Sequence, residues 1–310
     1  MNNLVFTIIT FYQFKKITNP EKLQIELKNF CKFNKIRGTI IVAKEGINGT
    51  AAGVKPTIKS LESFFIRKKF LKFNPTYSYY KYMPFFRLKV RLKKEIVTLK
   101  SKYVDPENIT GKYINVHDWN DLIKDNETIL IDVRNDFEFN LGTFKRSINP
   151  KTKSFSAFKN FIKKNLYNCK EKKIAMFCTG GIRCEKASSY MIKNGFMDVN
   201  QLKGGILKYL ETTPKNKSLW TGECFVFDNR VSVKNELKDG TYELCHACRY
   251  PIGIKDIKSK KFKKGLSCPH CYDNLSNSKM KNLTERNKQI AISKKRGIYN
   301  PYIKQTLSDY

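Results

Sequence analysis

The 310-residue sequence sets 60 lysine and arginine residues against 27 aspartate and glutamate, a formal charge of +33 at neutral pH, and 41% of it is hydrophobic, enough for two or three domain cores. No stretch approaches the roughly 20 apolar residues of a membrane span. The apolar run Leu4 to Phe11 lacks the basic lead-in and small-residue cleavage site of a secretory signal, and nine cysteines in reactive-loop and metal-type spacings fit a reducing cytoplasm. The positive field attracts RNA through counterion release without saying which RNA, and the richness in Lys, Ile, Asn, Phe and Tyr is also what a genome drifting toward adenine and thymine produces.

In chain order, Val5 to Phe11 reads as a strand. Asn19-Pro20 opens a helix, with asparagine as cap, proline at the first helical position, and Leu23, Leu27, Phe30 and Cys31 on one face. Arg37 to Ala43 and Thr50 to Val54 read as strands around a turn at Glu45 to Gly49, where two glycines and an asparagine tolerate positive φ. A second helix from Pro56 turns Ile58, Leu61, Phe64 and Phe65 inward, and two aromatic or basic strand-like stretches follow. This β-α-β-β-α-β order predicts a ferredoxin-like, or acylphosphatase-like, α+β domain over residues 1–100.

Within it, residues 87 to 93 alternate strictly between basic and apolar. A strand with this pattern packs Leu88, Val90 and Leu92 inward and sets Arg87, Lys89, Arg91 and Lys93 in a row on an outer face. Such a row suits the phosphates of an RNA strand, with Tyr79, Tyr80, Tyr82 and Phe86 as nearby stacking partners. It equally suits an exposed sheet face that lysine protects from edge pairing.

Cys178 heads the run Cys178-Thr179-Gly180-Gly181-Ile182-Arg183-Cys184, after the apolar Ile174 to Phe177 and before a helix-like Glu185 to Lys193. The thiol therefore stands where a strand hands over to a helix. A glycine loop there can curl its N–H groups around the sulfur, and the helix N-terminus with Arg183 favours thiolate over thiol. A small buried hydrophobe is the alternative, and it leaves the glycines and arginine unexplained. Cys184 reads as core-facing, with resolution of an oxidised Cys178 as the alternative. Cys31, Cys169 and Cys224 show no partner pattern.

Farther on, Cys245-His246-Ala247-Cys248 and Cys268-Pro269-His270-Cys271 are separated by nineteen residues. Two such knuckles present four thiolates tetrahedrally, so Cys245, Cys248, Cys268 and Cys271 are read as a structural zinc site whose metal supplies part of the segment's folding free energy, with a redox dithiol pair as the alternative. His246 and His270 leave a mixed ligand set open. The basic stretches Lys255 to Lys264 and Lys279 to Arg296 read either as RNA-binding surface or as solvated faces.

The loop at Cys178, the strand Ile129-Leu130-Ile131-Asp132-Val133-Arg134 with Glu138 shortly after it, and the run Val199 to Ile206 with its Gly204-Gly205 turn together resemble the rhodanese family, in which such a loop carries a persulfide. The four residues between Cys178 and Arg183 match its sulfur-sized loop; the related phosphatase-type loop is one residue longer. The resemblance implies that Cys178 reacts, that Arg183 with Thr179, Gly180, Gly181 and Ile182 holds the sulfur, and that Asp132 and Arg134 organise the loop, with an ordinary strand-end ion pair as the alternative for those two. Adding Ala43 to Thr50, the stretch from Met83-Pro84-Phe85 to Val97, and Phe225-Val226-Phe227-Asp228-Asn229-Arg230, nearly the whole chain is similar to the bacterial tRNA uridine hydroxylases, which form 5-hydroxyuridine at the tRNA wobble position. On that resemblance the chain is an α/β protein with a linker at 101–124, a rhodanese-like domain at 125–215, and a zinc-ribbon-like Cys-rich segment with a basic tail at 216–310.

The same resemblance implies an oxidoreductase with tRNA as substrate, dioxygen as co-substrate, downstream tRNA-modifying enzymes as partners, and no membrane. Of three histidines only His117 lies outside the knuckles, which speaks against a two-histidine iron site, and no flavin, haem or G-x-G-x-x-G motif occurs. The oxygen chemistry is expected to run through a sulfur-centred intermediate on Cys178, such as a persulfide, through a partner's cofactor, or through a small molecule. Two other readings remain: a sulfurtransferase working through a Cys178 persulfide, and a non-catalytic RNA-binding redox sensor.

Overall fold

The computed structural model describes residues 5–73, 75–102 and 104–310, so Leu4 of the apolar run lies outside the described residues. The N-terminal domain contains β1 (Phe6–Phe14), α1 (Pro20–Phe33), β2 (Arg37–Ala43), β3 (Gly46–Gly53), α2 (Lys55–Arg67), β4 (Thr76–Tyr80) and β5 (Leu88–Leu92). The sheet order β4-β1-β3-β2-β5 is the expected ferredoxin-like arrangement with β5 added parallel to β2. Both helices form as their apolar spacing requires: the Asn19 side chain accepts from Lys22 N at 2.8 Å, and Leu27, Ile58, Leu61 and Phe65 are fully buried. Strand β1 has two faces. Ile9 and Phe11 join the helix-side core, while Phe6 and Ile8 join a second cluster on the opposite face.

Two expectations for this domain change. The reversal after β2 is confined to Lys44-Glu45, because β3 begins at Gly46 and Asn48 and Gly49 are already paired with β2. Gly46, at φ +145°, is required by close approach: a Cβ there would lie 2.1 Å from the Gln13 carbonyl oxygen. On β5, Val90 is buried as expected, but Leu92 is exposed because it closes an edge strand.

The central domain contains β6 (Lys112–Ile114), α3 (Val116–Lys124), β7 (Ile129–Asp132), α4 (Asp136–Leu141), β8 (Gly142–Phe144), α5 (Phe158–Asn165), β9 (Lys173–Phe177), α6 (Ile182–Lys193), β10 (Asp198–Leu202) and α7 (Gly205–Thr212). Its sheet, β6-β10-β9-β7, is wholly parallel and buried on both faces, so β9 is continuously apolar: Ile174 and Met176 face one core, Ala175 and Phe177 the other. Residues 112–124 are therefore not linker. β6 pairs with β10, and Trp119 of α3 is fully buried beside Phe144 and Phe177.

The boundary at 216 also moves. β11 (Trp220–Gly222) pairs with β8, and Trp220, Cys224 and Val226 fill the core around Phe144 and Tyr209. Burial there pushes the Cys224 thiol up to about 12, and burial does the same at Cys31, so neither behaves as a reactive thiol. After the short hairpin β12 (Cys224–Phe225) and β13 (Ser232–Val233), the Cys-rich part holds β14 (Glu243–Leu244), β15 (Pro251–Ile252), α8 (Ile254–Ile257) and α9 (Asn277–Arg296). The last residues return to the N-terminal domain, where Tyr310 meets Phe6 edge to face at 5.1 Å and Arg37 donates to Gln305 at 2.6 Å. Among the described residues no helix is long and apolar enough to cross a membrane.

Candidate active site

Cys178 follows the last residue of β9, and Gly181, at φ +99°, turns the chain into α6. The N-terminus of α7 holds the loop from behind: Ile206 N donates to the Cys178 carbonyl at 2.9 Å and Leu207 N to that of Thr179 at 3.0 Å. Gly205 makes this approach possible, since a Cβ there would lie 2.5 Å from the Cys178 oxygen. With the carbonyls turned to α7, the loop N–H groups are left for the sulfur, and Gly181 N donates to Cys178 Sγ at 3.1 Å. Burial of Cys178 opposes its ionisation. The Cys184 thiol donating to it, the Arg183 charge, and the N–H groups of Cys184 and Arg183 outweigh that burial and bring the Cys178 thiol down to about 6. Burial and its donation to Cys178 hold Cys184 well above the ordinary thiol value, so it stays protonated. Cys184 is core-facing, as expected, and also touches the reactive sulfur.

Arg183 acts on the sulfur by charge. Its guanidinium forks onto Glu138 at 2.6 and 2.9 Å and donates to Thr179 Oγ1 at 3.1 Å. Glu138 is fully buried; burial opposes its charge, but Arg183 beside it keeps the carboxyl below the ordinary range. Asp132 and Arg134 do not reach this loop. They pair with each other at 2.9 and 2.6 Å, and Arg134 Nη2 and Thr143 Oγ1 tie them to β8, so they set the end of β7 while Glu138 organises the loop. Asp228 and Arg230 repeat this closed geometry at 2.9 and 2.7 Å, with Arg230 also donating to Ser78 Oγ on β4.

The N-terminal domain completes the site with residues the sequence reading missed. Thr10, Tyr12 and Phe14 share the face of β1 opposite its helices, and that face runs along the start of α6. A Cβ on Gly180 would meet Thr10 at 3.9 Å and one on Gly181 would meet the Tyr12 hydroxyl at 2.9 Å; the Phe14 ring lies 5.9 Å from Lys186 Nζ. Tyr12 donates to Glu185 at 2.8 Å, and Thr110 and Tyr113 donate to the same buried carboxylate at 2.8 Å. Lys186, almost fully buried, is held by Glu45 at 2.8 Å and Glu95 at 2.6 Å. The Glu45 turn is thus an interdomain clamp, and its carboxylate also accepts from Ile96 N at 2.6 Å. A cleft of about 550 Å³ opens beside Gly180, between Tyr12, Tyr113 and Lys203.

The four knuckle cysteines come together. Their sulfurs lie within 4.8 Å of one another, with separations of 3.9 Å (Cys245 to Cys271), 3.7 Å (Cys248 to Cys268) and 3.8 Å (Cys268 to Cys271). A tetrahedron of thiolates about 2.3 Å from a central zinc has edges of about 3.8 Å, so the set fits that metal. His270 stacks on Tyr250 and pairs with Asp256, which leaves the four cysteines as the ligand set. Of the basic row, Arg87 and Lys89 line a second cleft, while Arg91 and Lys93 stand exposed outside it. Helix α9 is largely solvated, with Leu283 its one buried residue.

Residues 6–96 match the family model of the UPF0176 acylphosphatase-like domain and residues 115–212 that of the rhodanese-like domain. Solved structures similar to about a third of the chain include the Alr3790 protein from Anabaena sp. (17% identity, 35% of this chain, 91% of that one, TM-score 0.30). A rhodanese-like domain protein from Staphylococcus aureus matches at 25% identity over 32% of this chain and 90% of its own, with TM-score 0.26. The CoADR-RHD of Bacillus anthracis matches at 24% identity over 32% of this chain and 16% of its own, with TM-score 0.27.

Proposed function

The chain has the architecture of the UPF0176 tRNA uridine hydroxylase-type family, an acylphosphatase-like domain joined to a rhodanese domain, and on that premise we propose that it hydroxylates the wobble uridine of tRNA to 5-hydroxyuridine through Cys178. The observation that carries the reading is a thiol titrating at about 6 inside a loop that the N-terminal domain covers with Tyr12. Cys178 lies below the surface, so the base leaves the strand to reach it, as an unpaired anticodon-loop base can. The thiolate adds to C6 of the uracil, and the electron pair displaced to C5 attacks dioxygen. A cellular thiol reductant supplies two electrons to the resulting C5 hydroperoxide, giving the C5 hydroxyl, water and a disulfide. Loss of the C5 proton then expels Cys178 and restores the ring double bond. In sum, uridine, dioxygen and two thiols give 5-hydroxyuridine, a disulfide and water. The zinc-type centre is structural in this scheme.

The rhodanese domain and its four-residue loop favour one other reading, transfer of sulfane sulfur through a Cys178 persulfide. Mass spectrometry of tRNA nucleosides from cells lacking the gene, complemented with wild type or Cys178→Ser, separates the two. The hydroxylase reading expects 5-hydroxyuridine-type nucleosides to return with wild type alone. Loss of a thiolated base with those nucleosides unchanged would establish sulfur transfer instead.

A further inference from the structure

We infer that the cleft between β5, the Cys-rich segment and the C-terminal residues 299–302 seats the RNA strand, with Phe227 as a base-stacking platform at its end nearest Cys178. The inference rests on the tRNA reading above and specifies where that substrate lies.

The cleft, about 660 Å³, collects Arg87 from just before β5, Lys89 from β5, Arg249 from the first cysteine knuckle and Arg286 from α9. None of these four makes a salt bridge among the described residues. Asp228 is the one acidic side chain lining the cleft among the described residues, and Arg230 already holds both its oxygens, at 2.9 and 2.7 Å. Four cations drawn from separate parts of the fold without a counterion repel one another, which destabilises the free protein and is relieved by a polyanion. Partial burial, with Arg87, Arg91 and Arg249 nearby, already lowers the Lys89 amine below its ordinary value.

Aromatic rings accompany the charges. Phe86 and Tyr302 pack 4.8 Å apart in the cleft, and the Arg286 guanidinium lies 5.4 Å from the Tyr302 ring. Phe227 leaves 60% of its surface exposed and has its ring 6.0 Å from Arg183, so it connects the cleft to the reactive loop. Cations that track a backbone beside rings that accept bases are the two components of single-strand recognition. The arrangement also connects the cysteine knuckle to binding. Arg249 follows Cys248 at φ +65°, with its N–H on the Cys245 carbonyl at 2.9 Å, so the metal-type centre fixes where this arginine stands. The cleft beside Gly180 is a weaker candidate, because the carboxylates Glu107 and Glu185 line it beside its lysines.

The test is binding of a synthetic anticodon stem-loop RNA to the full chain across a sodium chloride series. Variants are Arg249→Gln with Arg286→Gln, Arg87→Gln with Lys89→Gln, Phe227→Ala, and Lys69→Gln with Lys72→Gln from the other cleft. Each cleft pair is expected to weaken binding at least tenfold and to flatten the log-affinity against log-salt slope by about 0.7 to 0.9 per charge removed, while lysine in place of Arg249 and Arg286 restores the slope. Phe227→Ala is expected to weaken binding about tenfold without changing the slope. The β5 pair leaves the knuckle untouched, so its result stands if the arginine pair fails to fold. Wild-type affinity and slope in the β5 pair, with loss in the Lys69 and Lys72 pair, would overturn the inference and leave the tRNA reading standing. Absence of salt-dependent RNA binding by the wild type would overturn both.

Discussion

Replacing Cys184 with alanine removes the donor that does most to ionise Cys178. With the thiol at about 6 rather than the ordinary 9.0, roughly nine-tenths of Cys178 is thiolate at pH 7, against about 1% unperturbed. The Cys184 S–H is the first contribution after burial, and it acts in the opposite direction. A hydrogen bond to a charged acceptor contributes about 1.5–3 kcal/mol, or about 1–2 pH units, so Cys184→Ala should move the midpoint to about 7–8 and leave between half and a tenth of Cys178 ionised at pH 7. The Cβ chemical shift of ¹³C-labelled Cys178, assigned by its loss in Cys178→Ser, reads this midpoint without requiring reagent access to a buried sulfur. On the proposed hydroxylase reading the acidic limb of the rate should move with it, and Cys184→Ser, which keeps a donor, should restore most of the shift. The stability linkage has the same sign. A thiol depressed on folding contributes stability that is complete above its unfolded value near 9 and is lost as pH falls through about 6. A wild-type midpoint at 8.5 or above, or a midpoint that stays at 6 in Cys184→Ala, would refute the reasoning.

Glu138→Gln leaves the Arg183 guanidinium buried without its carboxylate, and chemical denaturation should show a loss of about 3–5 kcal/mol for the domain that unfolds with the Cys178 loop. Lys186→Ala strands Glu45 and Glu95 at the domain junction; both carboxylates keep some solvent contact, so the expected loss is smaller, about 2–3 kcal/mol, with faster hydrogen exchange in β1 and α6. Titration of the four knuckle thiols with a mercurial should release about one zinc per chain and open residues 243–275 to protease; zinc release unchanged in Cys268→Ser would exclude the four-cysteine set. Tyr12→Phe removes one of three hydroxyl donors to Glu185 and should cost about 1 kcal/mol in a melt, with a larger proportional fall in hydroxylation than in cyanide-accepting sulfur transfer from thiosulfate.

Elements whose chemistry is local were legible in the sequence. Asn19-Pro20 and the apolar spacing of Leu23, Leu27 and Cys31 specify α1; two glycines and an arginine after Cys178 specify an anion-holding loop; and the paired cysteine knuckles specify the four-sulfur cluster. What escaped depends on chain crossings. Alternation in β1 puts Thr10, Tyr12 and Phe14 on one face, yet says nothing of what lies against it, and Tyr12 meets Glu185 across 173 positions. Strands of three residues, such as β6 and β11, are too short to show a period, so residues 112–124 read as linker and Trp220 as the start of a separate segment. Asp132 and Glu138 are both acidic residues near the end of β7; only the crossing of α4 and α6 decides that Glu138 receives Arg183.

The domain junction bears on which chemistry the loop serves. The two charged residues that open α6 after Arg183 and Cys184 are both spoken for across the junction: Glu185 accepts from Tyr12, and both acids that hold Lys186, Glu45 and Glu95, come from the N-terminal side. Buried charges with partners on another domain are costly to separate, so the helix that supports Cys178 is held in register by the N-terminal sheet. Moving sulfur between small acceptors demands no such dependence, because an α7-backed loop already supplies the thiolate. Selecting one base of a folded RNA does, since groups that grip the backbone must stand at a fixed distance from the sulfur. Lys89 of β5 belongs to the same sheet as Tyr12, so on the proposed reading that sheet helps set the distance between the cleft cations and Cys178.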